Sequence, residues 1–181
     1  QRIIVADGAT APIAQKLGWQ ATTHGPTFHS VIYTIKTKYW QEEAALQRFT
    51  KQFSYGVVPH DSPGKSWLII TMNEKHYQEW SRLETAVQHQ QITNDLQPSC
   101  GEFEVDALYA SYPSKLHIRQ YYTTPGALCL GSSQLSLPPV GAQGLNITLQ
   151  NIQALINQYQ RSAWHIQEPL SWQAEYANTV E

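Results

Sequence analysis

Gly64-Lys65-Ser66 matches the last letters of the loop that cradles phosphate in many nucleotide-hydrolysing enzymes. That loop also needs a glycine at position 59 and must run from a strand into a helix whose first amides hold the phosphate. Position 59 is Pro, and the segment that follows, Trp67 to Met72, has the apolar, β-branched character of a strand. The stretch therefore reads as a turn, Asp61-Ser62-Pro63-Gly64, that leads into a strand. It implies no nucleotide.

His60 and Asp61 form the tightest pairing of a histidine with a carboxylate in the chain, the residue types of a general base and the acid that orients it. Side chains of sequence neighbours point apart in extended chain, so adjacency alone builds no dyad. A thiol hydrolase would need a cysteine beside a histidine in space, and Cys100 with His117, or Cys129 with His165, supplies the residue types. The serine elbow G-x-S-x-G is absent, since Gly131-Ser132-Ser133-Gln134-Leu135 fails at its last position. No HExxH or CxxC occurs, and His24 with His29 lacks a recognisable third ligand. The motifs call for no metal and no cofactor.

Cys100 and Cys129 are the only cysteines. An even number in a small chain predicts one disulfide, Cys100 to Cys129, which would stabilise the fold by about 3 to 4 kcal/mol on the chain-entropy estimate. Gln1 rather than Met, followed at once by a strand-like segment, is what removal of a leader would leave. Charged residues make up 14% of the chain, well below the usual ~25%, so solubility must come from neutral polar side chains. Together these features predict a secreted or periplasmic setting. A net charge of −2, with no two adjacent basic residues, lacks the footprint needed to hold nucleic acid. No apolar run approaches the ~20 residues of a membrane-spanning helix.

The elements that must position these residues follow from periodicity. Ile3 to Ala6 reads as a strand, Thr10 to Leu17 as a short helix ended by Gly18, and Phe28 to Lys36 as a strand with Val31, Tyr33 and Ile35 on one face. Leu46, Phe49 and Phe53 lie at helical spacing and predict a helix over 39–53. Tyr77, Trp80, Leu83 and Val87 predict another over 74–90, capped by Asn73. A third, over 147–160, turns Ile152, Leu155, Ile156 and Tyr159 inward.

From Glu102 to Ala110 and from Lys115 to Tyr122 the pattern alternates, and the loop Ser111-Tyr112-Pro113-Ser114 would close a hairpin pairing Tyr109 with Leu116. Its wet face would set Glu102, Glu104 and Asp106 near Lys115, His117 and Arg119. A further strand, Ala127 to Leu130, completes a meander over 102–130. The fold class is thus α+β: a single domain spanning 1–181, with a largely antiparallel sheet packed by three main helices.

The segment 131–146, rich in Gly, Ser and Pro, is longer than most loops of compact domains unless it is functional. Trp19, Trp40, Trp164 and Trp172 lie outside or at the ends of the apolar stripes, and Tyr121 turns away from Tyr122. Rings exposed beside amide side chains suit recognition, because they bury large area at low entropic cost. The leading expectation is an exported, non-enzymatic domain that binds a partner protein or cell-envelope component through Tyr121, Ser133, Leu135, Leu137 and Val140. The alternative is a small secreted hydrolase drawing its catalytic group from His60, Asp61, Cys100 or His117. Oligomeric state is not legible.

Overall fold

The computed structural model describes residues 3–37, 44–119, 123–124, 126–139, 141 and 143–161. Helices and strands are mixed, as the α+β class requires, and the chain divides into two compact units. Unit 1 combines Gln1–Gly25 with Lys115–Glu181, and unit 2 is Pro26–Ser114.

The strands are β1 (Ile3–Val5), β2 (Thr22–Thr37), β3 (Leu46–Phe49), β4 (Ser54–Pro59), β5 (Lys65–Asn73), β6 (Phe103–Ile118), β7 (Thr123–Thr124), β8 (Ala127–Cys129) and β9 (Leu135–Ser136). The helices are α1 (Pro12–Lys16), α2 (Glu74–Trp80), α3 (Thr85–Cys100) and α4 (Gln143–Arg161), with one 3₁₀ turn at Gly131–Ser133.

Unit 2 is built on antiparallel pairing. β2 lies against β5 in the register Val31↔Ile70 and Tyr33↔Leu68, and β4 flanks β5 with Tyr55↔Ile70. The period of two sends Val31, Tyr33, Ile35, Tyr55, Val57, Leu68, Ile70 and Met72 to one face, where Trp80, Ile92 and Leu96 of the helices cover them. Each fully buried aliphatic side chain here contributes about 1.5 to 3 kcal/mol. The turn expected at 61–64 forms, with the Lys65 N–H donating to the Ser62 carbonyl at 3.2 Å.

Unit 1 holds a three-stranded sheet in the order β1-β8-β7. There β1 runs parallel to β8 and β7 antiparallel to it. Val5, Ala11, Ala14, Trp19, Ala127 and Cys129 form its core, with Leu130, Ala154 and Leu155 packed against it. β9 joins the unit 1 end of β6 through His117↔Ser136 and Ile118↔Leu135.

Several expected elements differ. Residues 46–49 form β3 rather than a helical turn, paired with β4 from Leu46↔Val57 to Phe49↔Ser54. Thr50 decides this. Its Oγ1 accepts from the Phe53 N–H at 3.0 Å and its N–H donates to the Phe53 carbonyl at 2.8 Å, closing a tight turn that overrides the helical spacing. Residues 39–43 of the expected helix lie outside the described residues.

The hairpin expected at 111–114 does not form either, since Phe103–Ile118 is one continuous strand. The proposed turn holds no Gly, Asn or Asp to supply the left-handed conformations that a tight hairpin needs. Pro113 is tolerated because β9, on the far side of β6, is registered only at His117 and Ile118 and makes no ladder bond there. Trp19, whose place outside the apolar stripes left both surface recognition and capping of the core open, is 3% exposed and belongs to the unit 1 core.

Candidate functional site

Asp7 stands just beyond β1 and organises unit 1. Its Oδ2 accepts from the Ile13 N–H at 2.8 Å, which serves the first turn of α1 in place of a side-chain cap at Ala11. Ala11 itself is buried with φ 40°, a left-handed conformation that costs a non-glycine residue free energy and is held by its surroundings. The Asp7 Oδ1 accepts from the Ser133 hydroxyl at 2.9 Å. Partial burial pulls this carboxyl up, but the bonds from Ile13 and Ser133 and the charge of Arg119 outweigh it and hold the group below its ordinary value.

Arg119 follows the end of β6 and is almost wholly buried. Its Nε donates to the Trp19 carbonyl at 3.1 Å, one Nη to the Ser133 carbonyl at 2.6 Å, and its N–H to the Gln134 carbonyl at 3.0 Å. Asn151 of α4 donates to the Gln134 side-chain oxygen at 3.4 Å. The end of β6, Asp7 and α4 are thereby tied to the segment 131–134.

That segment is a short 3₁₀ turn whose Gln134 side chain bonds α4. Gly131 has φ 64°, and a Cβ there would meet the Thr148 methyl of α4 at 3.2 Å, so only glycine lets the turn lie this close. Gly144, in the first turn of α4, has nothing within 4 Å of where its Cβ would stand. The first four N–H groups of α4 have no intrahelical acceptor, and no acidic side chain lies in its first turn to offset the positive end of its dipole. Backbone donors and the positive end of a helix dipole suit an anionic or acceptor-rich group.

The residues singled out from sequence are dispersed. Ser133 is buried and bonded to Asp7, Leu135 pairs with Ile118, and Leu137 is half-buried; Tyr121, Val140 and His165 lie outside the described residues. Residues 131–136 are therefore a 3₁₀ turn and a short strand, not an open loop. His60 does not turn towards Asp61: its Nδ1 accepts from the Ser62 N–H at 2.9 Å and its ring packs on Trp67 at 4.4 Å.

Cys100 ends α3 inside the unit 2 core, where burial pushes its thiol up despite the charge of Arg48. His117 lies in unit 1 with its Nδ1 3.2 Å from the Thr23 hydroxyl. The acidic row is also re-partnered. Asp106 bonds the Lys65 and Lys36 ammonium groups at 2.9 Å each, from β5 and β2, rather than facing Arg119.

The expected disulfide is absent. Both cysteines are free and buried, Cys100 in one core and Cys129 in the other. Burial raises the Cys129 thiol to about 11. With the bridge goes the main physical argument for export, and secretion has no support in the structure.

A family model described as an FAD binding domain matches residues 1–163. The chain belongs to the FAD-binding domain family. Solved structures share its fold: a flavin-dependent brominase at 13% identity and TM-score 0.78, over 99% of this chain and 47% of that one. CmlS, a flavin-dependent halogenase, is similar at 14% identity and 0.77, over 99% and 34%. A flavin-dependent halogenase from Xanthomonas campestris is similar at 12% identity and 0.68, over 99% and 34%. The chain thus spans between about a third and a half of the length of these proteins. No curated protein matches it.

The family corrects the functional expectation in both its forms. An FAD-binding domain is neither a non-enzymatic partner-binding module nor a secreted hydrolase, and protein binding through 131–146 has no support. The correction was not available from motif spacing, because no two glycines stand two apart in this chain and the G-x-G-x-x-G turn of a dinucleotide site is missing. Among the described residues, no helix is long and apolar enough to cross a membrane.

Proposed function

We propose that this chain is part of an FAD-dependent oxidoreductase that hydroxylates or halogenates an organic substrate, and that the segment 131–144 with the start of α4 is its share of the flavin site. The observation that carries the reading is the family match over 1–163, combined with a first turn of α4 that holds no acidic side chain. FAD, when bound, supplies the electron transfer and dioxygen chemistry that no side chain can. The amides of Gly131, Gly144 and the first turn of α4 favour the electron-rich, acceptor-bearing part of the flavin, where negative charge gathers on reduction. Asp7, Ser133 and Arg119 are positioning residues: they hold the turn at 131–134 in place. The flavin-dependent halogenases and brominase that share the fold support the reaction class.

The test is flavin content in the full-length protein that carries this chain. Gly144→Asp adds an acidic residue to the first turn of α4, which stabilises a helix by about 0.3 to 1 kcal/mol while opposing a bound anion or acceptor. The wild type is expected to retain FAD or to quench the fluorescence of added FAD. The variant should fold at least as stably and hold FAD roughly tenfold or more weakly. A wild type that takes up no FAD, or a variant that binds it unchanged, would overturn the reading.

A further inference from the structure

Thr148 of α4 touches both glycine-bearing stretches of the proposed flavin site. Its hydroxyl donates to the Gly144 carbonyl at 2.8 Å, one turn back along the helix. A helical threonine has two favoured settings because its hydroxyl can reach that carbonyl, and the bond holds the side chain in one of them. Its Cγ2 is then turned towards Gly131, 3.2 Å from where a Cβ on that glycine would stand, with Oγ1 at 3.5 Å. The methyl fills the space that any other residue at 131 would need.

Gly131 has no side chain to fix its distance from α4, and at φ 64° it lies in a region that glycine enters freely. The turn is closed on its own side, where the Gly131 carbonyl accepts from the Gln134 N–H at 2.9 Å. Its other link to α4 is the long bond from Asn151 to Gln134 at 3.4 Å. Spacing from the helix is therefore set largely by the Thr148 methyl. We propose that Thr148 is a positioning residue for the flavin: its methyl fixes how far the turn at Gly131 stands from the first turn of α4, and its hydroxyl holds that methyl in place. This role rests on the flavin site lying at 131–144. Donors carried by two segments serve one ligand only while their separation is held, because a hydrogen bond weakens outside a narrow range of lengths.

FAD affinity and the reduction midpoint of the bound flavin are to be measured in the full-length protein. Thr148→Ser keeps the hydroxyl and removes the methyl, and it is expected to bind FAD about fivefold or more weakly. Its midpoint should move to more negative values, since donors aimed at charge that gathers on reduction lose most on the reduced form. Thr148→Val keeps a methyl and should restore most of the affinity that Thr148→Ser loses. Gly131→Ala should weaken FAD because its Cβ meets the Thr148 methyl, and adding Thr148→Ser to it should tighten binding, the reverse of its effect on the wild type. A purely structural role would lower the urea midpoint and leave the potential where it was. A wild type that holds no FAD overturns this role together with the flavin reading. A wild type that holds FAD, with Thr148→Ser equal to it in affinity and potential or weakening Gly131→Ala further, overturns the role of Thr148 alone.

Discussion

Asp106 sits between two ammonium groups, and hydrogen bonds from Lys65 first and Lys36 second bring its carboxyl down to about 2. The folded value lies below the ordinary 3.8, so the contribution of these bonds is complete above about pH 4 and is lost as the pH falls towards 2. Asp106→Asn is therefore expected to flatten the loss of stability across that window while changing little at neutral pH, read as urea midpoints at several acid pH values. The effect will be modest, because the partners are part-exposed and salt screens them. Asp7 carries the same sign. Neither set of partners was legible from sequence: Asp106 was assigned to Arg119 through a hairpin that does not exist, and Asp7 meets Ser133 from 126 positions away. Local patterns carry no information about contacts at that separation.

The stretch from Tyr77 to Val87 shows the same limit at the level of an element. Its apolar spacing describes one helix, but α2 ends at Trp80 and α3 begins at Thr85. Trp80 is buried, whereas Leu83 and Val87 are exposed, and the core is filled instead by Ile92 and Leu96 further along α3. Gln88 holds the break. Its Nε2 donates to the Trp80 carbonyl at 2.9 Å, beside the Leu83 N–H that donates to the same oxygen at 3.1 Å, and its Oε1 accepts from the buried Tyr33 hydroxyl at 3.0 Å. Gln88→Ala should cost about 1 to 3 kcal/mol in denaturant unfolding because it takes the acceptor from the buried Tyr33 hydroxyl, whereas Val87→Ala beside it should change stability by no more than about 0.5 kcal/mol. A glutamine that bridges two helices and a strand looks, in sequence, like any other polar surface residue. The Asn73 cap, by contrast, was legible, because its signal lies within the first turn: the side chain accepts from the His76 N–H at 2.9 Å.

For the whole molecule, the state of the two cysteines separates the exported reading from the one the structure supports. Thiol titration without reductant is expected to find both groups slow to react in the native protein, since Cys129 is fully buried with a raised thiol and Cys100 nearly so. Both should be modified once the chain is unfolded. A disulfide would leave neither available until reductant is added.

The amino-acid sequence by itself determined the mixed class, the strands β2 and β5 of unit 2, the turn at 61–64, and the first helix and the last. These depend on periodicity and turn chemistry over a few neighbouring residues. Only the tertiary structure decided that β6 is one strand, that the two thiols belong to different cores, and that Asp7, Ser133 and Arg119 fix a glycine-bearing turn against α4. Each of those depends on which distant segments bury one another, and the free energy that selects among such pairings is spread over the whole core rather than written at any one position.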